Sequence, residues 1–283
     1  MSYETIIYQP GPVARVILNR PERQNAQSWR MLAEMEQAFN EACSDPAVRI
    51  VILSGNGRSF SAGHDLDSPE QRKNQEERTR GLDGFGRSAL LNDIYIESHL
   101  RWRNLPKPTV AMVHGYCIYG GWMIASAMDF IFAADDALFI PVYGDYFTAP
   151  WDVGARKAKE LLYENNFIDA PEALKWGFVN RVYPAAELEQ ETLAYAQRVA
   201  ESDPFSLRMI KSTINQTLDM LGFTNSVRAL SPQFLNRRAP QRPPENAQPS
   251  PGGAPLVPDR TFRNRVKMAL ERLRQDRAKS GRL

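Results

Sequence analysis

Short apolar runs alternate along the chain with segments in which apolar side chains recur at helical spacing. Residues 3–8 and 13–18 are rich in β-forming side chains and flank Pro10-Gly11-Pro12, which predicts a hairpin. Residues 29–42 have the spacing of a helix with one buried face. The continuous β-branched run at 48–53 is typical of a buried strand. Because strands alternate with helices, the pattern predicts parallel βαβ units and the α/β class.

The rest of the chain extends this alternation. Residues 67–80 are dense in charge and poor in apolar side chains, which predicts a mobile helix or loop. The pattern predicts strands at 109–113, 129–133 and 178–182, and helices at 92–104, 120–128, 154–164, 170–176, 185–201 and 204–221.

The last 53 residues differ in composition and charge from everything before them. Residues 231–283 hold 12 Lys/Arg and 4 Asp/Glu, a net charge of +8, which leaves −6 of the total of +2 for residues 1–230. Eight prolines lie between 231 and 258 and predict a linker or extended arm. Residues 259–283 have the pattern of a basic helix. This tail either packs on a neighbouring subunit, binds an anionic partner, or stays disordered.

The composition of the chain indicates the cellular compartment in which the protein is expected. Two cysteines, Cys43 and Cys117, give no disulfide framework, which favours a reducing cytoplasm. The N-terminus lacks a basic stretch followed by an apolar run, and no run reaches 18 apolar residues, so secretion and membrane spanning are not expected.

Two loops rich in small residues carry the chemistry. Ser61-Ala62-Gly63-His64-Asp65-Leu66 and His114-Gly115-Tyr116-Cys117-Ile118-Tyr119-Gly120-Gly121 each follow an apolar run that predicts a buried strand. Small residues allow a ligand to approach the backbone and leave N–H groups directed outward. Two such loops can supply two N–H donors to one oxygen atom, which is an oxyanion hole.

At these loops the chain resembles the crotonase superfamily, the enoyl-CoA hydratase/isomerase family. The resemblance spans roughly residues 3–222 and keeps its five segments in order. Those segments are Asn19-Arg20-Pro21-Glu22-Arg23-Gln24-Asn25-Ala26, the first loop with Phe60, the run from Pro106 to Gly115, Gly120-Gly121 with Asp129, and the run from Ala170 to Asn180.

The resemblance implies a crotonase-like ββα spiral core over residues 1–184. A helical region over 185–230 would support assembly into a homotrimer or a dimer of trimers. It also implies that coenzyme A enters as part of an acyl-CoA substrate, with no separate cofactor. The stretch after residue 231 departs from the family, whose ordinary members end soon after the helical region.

The resemblance also implies site residues. The oxyanion hole would use the N–H groups of Ala62 and Gly120, and the held thioester could form an enolate. Arg20 and Arg23 would contact the CoA phosphates, since guanidinium groups suit phosphate oxygens. The remaining substrate-binding positions around the CoA are Ala26, Ala62, His64, Asp65 and Leu66.

Both glutamates that hydratases of this family use are missing here. Their positions correspond to Met123 and to Val142 or Tyr143, so the usual two-carboxylate hydration is doubtful. Asp145 is the first choice for a replacement acid or base, although it could be only a turn residue after Gly144. His64 is a lesser candidate, because imidazole groups in general can exchange a proton near neutral pH.

Several other residues near the predicted site have a possible role in substrate binding or a structural one. Tyr143 and Tyr146 either donate hydrogen bonds to substrate or pack around it, and Trp122 and Met123 would complete an aromatic pocket for a bulky or cyclic acyl group. Asp152 is expected to cap a helix, His114 to be structural, and His99 to border the acyl pocket. No cluster has metal-ligand spacing.

The resulting prediction is an acyl-CoA enzyme of the hydratase/isomerase type that uses non-standard acid/base residues. The alternatives are a C–C bond or thioester hydrolase of the same fold, a CoA-thioester-binding protein without turnover, and a module that binds nucleic acid or an acidic protein through the basic tail. The last of these is not expected.

Overall fold

The computed structural model describes residues 3–229 together with Glu271 and Gln275. The predicted linker at 231–258 and the rest of the predicted helix at 259–283 lie outside the described residues. The strands are β1 (Ile6–Gln9), β2 (Val13–Leu18), β3 (Ile50–Gly55), β4 (Thr109–Val113), β5 (Tyr116–Ile118), β6 (Phe130–Ala134), β7 (Leu138–Ile140), β8 (Ile168–Asp169) and β9 (Arg181–Tyr183).

The helices that follow or separate these strands include several short ones. They are α1 (Trp29–Ser44), α2 (Pro69–Thr79), α3 (Gly84–Asn92), α4 (Ser98–Arg103), α5 (Gly120–Ser126), α6 (Ala149–Asp152), α7 (Ala155–Glu164), α8 (Ala170–Lys175), α9 (Leu188–Ala200) and α10 (Pro204–Met220). A 3-10 turn spans Pro21–Arg23, and a π-helical turn spans Asp93–Glu97. In the part of the chain that the structure describes, no helix is both long and apolar enough to cross a bilayer.

The main sheet has six strands in the order β1-β2-β3-β4-β6-β9. β1 and β2 form the predicted antiparallel hairpin, and the remaining neighbours are parallel. The α/β class with parallel βαβ units is therefore confirmed, followed by the expected helical region. A second sheet, β5-β7-β8, is built from three short strands that the sequence pattern did not predict.

The apolar runs of the central strands are continuous because both faces of the sheet are covered. Val51 and Leu53 belong to the large core on one face, whereas Ile50 and Ile52 belong to a smaller core on the other. Alternate side chains of a strand point to opposite faces, so a strand buried on both sides is apolar at most positions. Helix α9 packs against the smaller core through Leu188 and neighbouring residues.

Three predicted elements differ in detail. The charged segment at 67–80 contains a regular helix, α2, whose N-cap is Ser68. The predicted helix at 92–104 contains the π-helical turn, which widens the backbone between α3 and α4. The predicted strand at 178–182 moves to β9 because the N–H groups of Phe178 and Val179 both donate to the Ala173 carbonyl at the end of α8.

Asp152 ties α6 to α5, rather than capping a helix as expected. Its carboxylate accepts hydrogen bonds from Trp122 Nε1 at 2.7 Å, from Ser126 Oγ at 2.9 Å and from Thr148 Oγ1 at 2.7 Å. The next helix, α7, has Gly154 at its N-cap. Burial raises the pKa of Asp152 to about 6, although the three hydrogen bonds act in the opposite direction.

This network makes the stability of the protein depend on pH. Because the pKa of Asp152 is higher in the folded chain than the ordinary value of about 3.9, the fold favours the protonated acid. Its stabilising contribution is complete below pH ~4 and is lost as the pH rises through about 6. We expect the free energy of unfolding of the wild type, relative to Asp152→Asn, to fall by about 2 kcal/mol over this range. Urea denaturation of both proteins between pH 4 and 7 measures it, and a constant difference would contradict the prediction.

Candidate active site

The first loop is held on both sides by backbone pairing. On one side, His64 forms a parallel bridge with Gln27, and on the other Ser61 forms a parallel bridge with Cys117 of the second loop. The Ser61 N–H donates to the Tyr116 carbonyl at 2.9 Å, and the Ile118 N–H donates to the Ser61 carbonyl at 3.1 Å. The two loops that the sequence singled out are therefore in direct contact.

Ala62 does not offer its N–H group to a ligand in this arrangement. That N–H donates to the Gln24 carbonyl at 2.9 Å, and Gln24 adopts a left-handed backbone conformation with φ of 50° that directs its carbonyl there. The prediction that Ala62 is an oxyanion donor is thus contradicted, because the donor is already engaged within the protein.

The backbone of His64 is oriented differently. The Gln27 N–H donates to the Gly63 carbonyl at 2.8 Å, and the Asp65 N–H donates to the Gln27 carbonyl at 2.9 Å. Successive backbone groups of an extended segment point in opposite directions. The His64 N–H therefore points away from Gln27.

Gly120 lies on that side. A methyl group built on Gly120 would lie 3.0 Å from the His64 backbone nitrogen, so the two backbones are in contact and no side chain fits between them. Gly120 begins α5, and its N–H makes no hydrogen bond with any residue that the structure describes. The first N–H groups of a helix lack intrahelical acceptors and are available to a ligand. The preceding residue, Tyr119, has a strained φ of 53°.

A histidine and a carboxylate meet beside this backbone pair. His64 Nδ1 lies 3.7 Å from Asp145 Oδ2, and both side chains are almost fully buried. Asp145 has a φ of 48°, an uncommon left-handed conformation for a residue other than glycine. The His64 ring packs on Tyr95 at 4.6 Å between centroids, and the Tyr95 hydroxyl accepts a hydrogen bond from Trp29 Nε1. Sequence reasoning named His64 and Asp145 separately, and the fold brings them together.

The two tyrosines on either side of Asp145 are in different environments. Tyr143 is 46% exposed, and its ring makes an edge contact with Phe147. Tyr146 is buried and stacks on His99 with ring centroids 5.1 Å apart, and burial raises its pKa. Hydrogen bonding of either tyrosine to a substrate remains a prediction.

Trp122 and Met123 are part of the apolar core. Trp122 stacks on Phe178 with centroids 3.6 Å apart, and its Nε1 is bound to Asp152. Both residues are buried in the large core. The contacts of Trp122 argue against its predicted place in an acyl pocket. Met123 places a thioether in the core where the resemblance implies a glutamate.

The predicted CoA contacts separate into buried and exposed residues. Arg20 is buried, and its guanidinium donates to Asp65 Oδ2 at 2.8 Å, to Glu70 Oε2 at 3.0 Å and to the Ala26 carbonyl. The predicted phosphate contact through Arg20 is contradicted, because these partners engage its guanidinium inside the protein. Arg23 and Leu66 are exposed and Ala26 is partly exposed, so contact with CoA through them remains a prediction.

Asp65 belongs to the same buried ion pair. Burial by itself would raise its pKa, but hydrogen bonds from the Ser68 side chain and backbone and from Arg20 outweigh this effect and lower the pKa. Ser68 is also the N-cap of α2. Asp65 thus connects the first loop to α2, and its charge is balanced before any ligand binds.

The other two histidines are separate from the His64–Asp145 pair. Burial, with a smaller effect from Arg101, lowers the pKa of His99 to about 3, so its imidazole is neutral at pH 7. His114 Nε2 lies 2.8 Å from the Gly57 carbonyl, consistent with a structural role. Within the described part of the chain, no group of three or more His, Cys, Asp or Glu side chains is arranged to hold a metal ion.

Comparison with known proteins agrees with this architecture. A family model described as enoyl-CoA hydratase/isomerase matches residues 9–231. A Mycobacterium tuberculosis protein that bears the name enoyl-CoA hydratase EchA13 is 40% identical over 244 residues, which is 78% of this chain and 75% of that protein.

Two crystal structures are similar in fold over most of the chain. One is a probable enoyl-CoA hydratase from Mycobacterium thermoresistibile, at 38% identity and a TM-score of 0.73, covering 82% of this chain and 95% of the other. The second is an enoyl-CoA hydratase/isomerase from Xanthobacter autotrophicus Py2, at 30% identity and a TM-score of 0.75, covering 84% and 88%.

The two arginines of the first predicted CoA segment should behave differently when mutated. We expect Arg20→Met to lower the free energy of unfolding by about 3–5 kcal/mol, because the buried Asp65 would lose its charged partner. Arg23→Met should leave stability unchanged and weaken the binding of a CoA thioester. Urea denaturation and calorimetric titration separate the two effects. Unchanged stability of Arg20→Met with lost affinity would restore Arg20 as a CoA contact.

Proposed function

This chain belongs to the enoyl-CoA hydratase/isomerase family, and we propose that it acts on an acyl-CoA thioester whose carbonyl oxygen is held between the His64 and Gly120 N–H groups. The family assignment makes it an enzyme of the hydratase/isomerase type. The observation that carries the proposal is the approach of the Gly120 backbone to the His64 nitrogen, at the junction of the two loops.

Two N–H donors on one thioester oxygen stabilise the negative charge of an enolate. Each donor of such a site contributes about 3–4 kcal/mol to transition-state stabilisation. Backbone N–H groups stabilise the enolate charge without a charged side chain. The charged side chains of Arg20, Asp65 and Glu70 are instead engaged with one another in ion pairs. The donors come from two loops that backbone pairing holds rigidly together, so they are organised before substrate binds.

The acid/base residues differ from those of ordinary hydratases. Met123 and either Val142 or Tyr143 stand where the resemblance implies glutamates, and none of these side chains can hold water as a carboxylate does. The aromatic pocket proposed for a bulky acyl group would be lined by Tyr143, Phe147 and Trp151, which are partly exposed. Trp122 does not contribute to it, because it belongs to the core.

A non-catalytic CoA-thioester-binding protein is the second candidate. It is favoured by the same loss of both glutamates, because an intact oxyanion hole without a proton-transfer group would bind an acyl-CoA without converting it. Hydrolysis of a C–C bond or of the thioester within the same fold is a third reading, and product analysis would distinguish it by the release of a shortened acyl chain or of free CoA.

The proposed oxyanion hole predicts a severe effect of the smallest substitution at Gly120. In Gly120→Ala the new methyl group would lie 2.8 Å from Gln27 Oε1 and from His64 Cδ2, so the loops must separate. We expect turnover of an acyl-CoA substrate to fall by about 100–1000-fold. Gly84→Ala is the matched control, because a methyl group there meets nothing within 4 Å and activity should be unchanged. Equal activity of both variants would contradict the proposed hole.

We also propose that the chain forms a homo-oligomer through α10, as the resemblance implies. None of the residues of α10 is buried, and four large apolar side chains on it are exposed at helical spacing: Phe205, Met209, Ile210 and Ile214. Such a contiguous apolar surface is typical of a protein interface. A second copy of this chain is the proposed occupant.

This interface predicts that charge on α10 dissociates the assembly. The double variant Ile210→Lys, Ile214→Lys should be monomeric in sedimentation velocity, whereas the wild type should be an oligomer, because the apolar surface would become charged. Gln216→Lys adds charge at an exposed polar position of the same helix and should leave the assembly intact. A monomeric wild type would refute the interface.

A further inference from the structure

We infer that the imidazole of His64 is the proton-transfer group of this site and that Asp145 is its positioning residue. The inference rests on the proposed oxyanion hole, since His64 also supplies one of its N–H donors. It assigns the role of the missing glutamates to a histidine–carboxylate pair.

The two sides of the imidazole face different groups. Nδ1 faces the Asp145 carboxylate at 3.7 Å. On the opposite side of the ring, Cδ2 would lie 2.8 Å from a methyl group on Gly120. Nε2 is bonded directly to Cδ2, so this second nitrogen lies on the edge next to the oxyanion donor. Nδ1 is therefore directed to the carboxylate, and the ring edge formed by Cδ2 and Nε2 lies towards Gly120.

Asp145 is suited to hold the ring in that orientation. A carboxylate that accepts a hydrogen bond from the Nδ1–H group fixes the tautomer in which Nε2 is the base, and it stabilises the imidazolium formed later. The separation of 3.7 Å is longer than a hydrogen bond, and such contacts in unliganded sites often shorten when substrate binds. The left-handed backbone of Asp145 is the kind of strain that occurs at functional sites.

The opposing interpretation is a purely structural ion pair. Buried structural pairs in this protein look different: the carboxylate of Asp65 accepts hydrogen bonds from both Arg20 and Ser68. The phenol ring of Tyr95 also packs on the His64 ring, with centroids 4.6 Å apart, and carries no charge that could replace the carboxylate. Asp145 is the carboxylate that the structure places against Nδ1 of this imidazole.

A single imidazole on one side of the substrate suits a proton shift between two carbons. Nε2 removes a proton from the carbon next to the thioester carbonyl, the C–H electrons form the enolate double bond, and the carbonyl electrons move to the oxygen between the two N–H groups. The imidazolium then returns the proton to the distant end of the same conjugated system. The double bond moves by one position, and no atom or electron is gained or lost. The substrate class is therefore a 3-enoyl-CoA or its 2-enoyl isomer.

The test uses trans-3-hexenoyl-CoA in D2O with the full-length protein. We expect the wild type to incorporate deuterium next to the thioester and to form the conjugated 2-enoyl product, followed by NMR and by ultraviolet absorbance. His64→Gln keeps the backbone N–H and should lower both rates by about 100-fold or more while the Kd for the probe changes little. Added imidazole should restore part of the rate in His64→Ala. His114→Gln is the matched control and should keep its rate, because this imidazole contacts the Gly57 carbonyl instead.

Asp145→Asn tests the positioning role. It should lower kcat more than it changes KM, and it should move the acid limb of the pH–rate profile to lower pH, because the imidazolium loses a neighbouring negative charge. Asp67→Asn, an exposed carboxylate after the first loop, should alter neither. An unchanged pH profile for Asp145→Asn would mean that the pair is only structural.

The outcomes separate this inference from the proposed function. If Gly120→Ala abolishes exchange while His64→Gln retains it, the oxyanion hole stands and the assignment of His64 is wrong. If the wild type binds the probe but gives neither exchange nor isomerisation, both the His64 assignment and its substrate class are wrong, and the non-catalytic reading gains. Loss of exchange in His64→Gln with rescue by imidazole supports the inference.

Discussion

The pairing of the first loop on both of its sides is the constraint on which the site depends. Gln27 pairs with one edge of residues 61–65 and the second loop pairs with the other, so each backbone group in this stretch has a fixed direction. The Ser61 side chain strengthens this arrangement, because it accepts from Gln27 Nε2 at 3.0 Å and donates to the Asn25 carbonyl at 2.8 Å. A change of one residue in this register would direct a different N–H group towards Gly120.

Two neighbouring residues of the first loop, His64 and Asp65, each contribute to a buried pair of a basic side chain with a carboxylate. The two pairs serve different purposes. Arg20 and Asp65 are joined by a short hydrogen bond, and Asp65 also accepts one from Ser68, which stabilises the loop against α2. His64 and Asp145 are buried at a longer separation. A proton can be gained or lost at an imidazole near neutral pH but not at a guanidinium, so only the second pair is suited to acid–base chemistry.

The sequence predicted the large elements well and the direction of individual groups poorly. Continuous apolar runs identified the central strands, because burial on both faces removes most polar positions. The donor at Ala62 was wrong because an N–H direction depends on pairing with Gln27, which no local pattern encodes. Arg20 was assigned to phosphate because its partner Glu70 lies on a helix whose position sequence reasoning could not supply. The meeting of His64 and Asp145 is likewise a consequence of tertiary structure.

The position of the carboxylate offers a physical explanation for how a site without its usual glutamates can remain active. Val142 or Tyr143 corresponds to one of the two glutamate positions in the resemblance, and the acidic residue Asp145 follows in a left-handed turn after Gly144. Such a turn reverses the direction of the side chain, so Asp145 points into the protein while Tyr143 points to solvent. A carboxylate buried at this depth needs a positively charged or hydrogen-bonding partner, and the fold places the imidazole of His64 against it. Moving the acid along the loop thus exchanges a direct proton donor for one that acts through an imidazole, while the backbone donors of the enolate stay where they are.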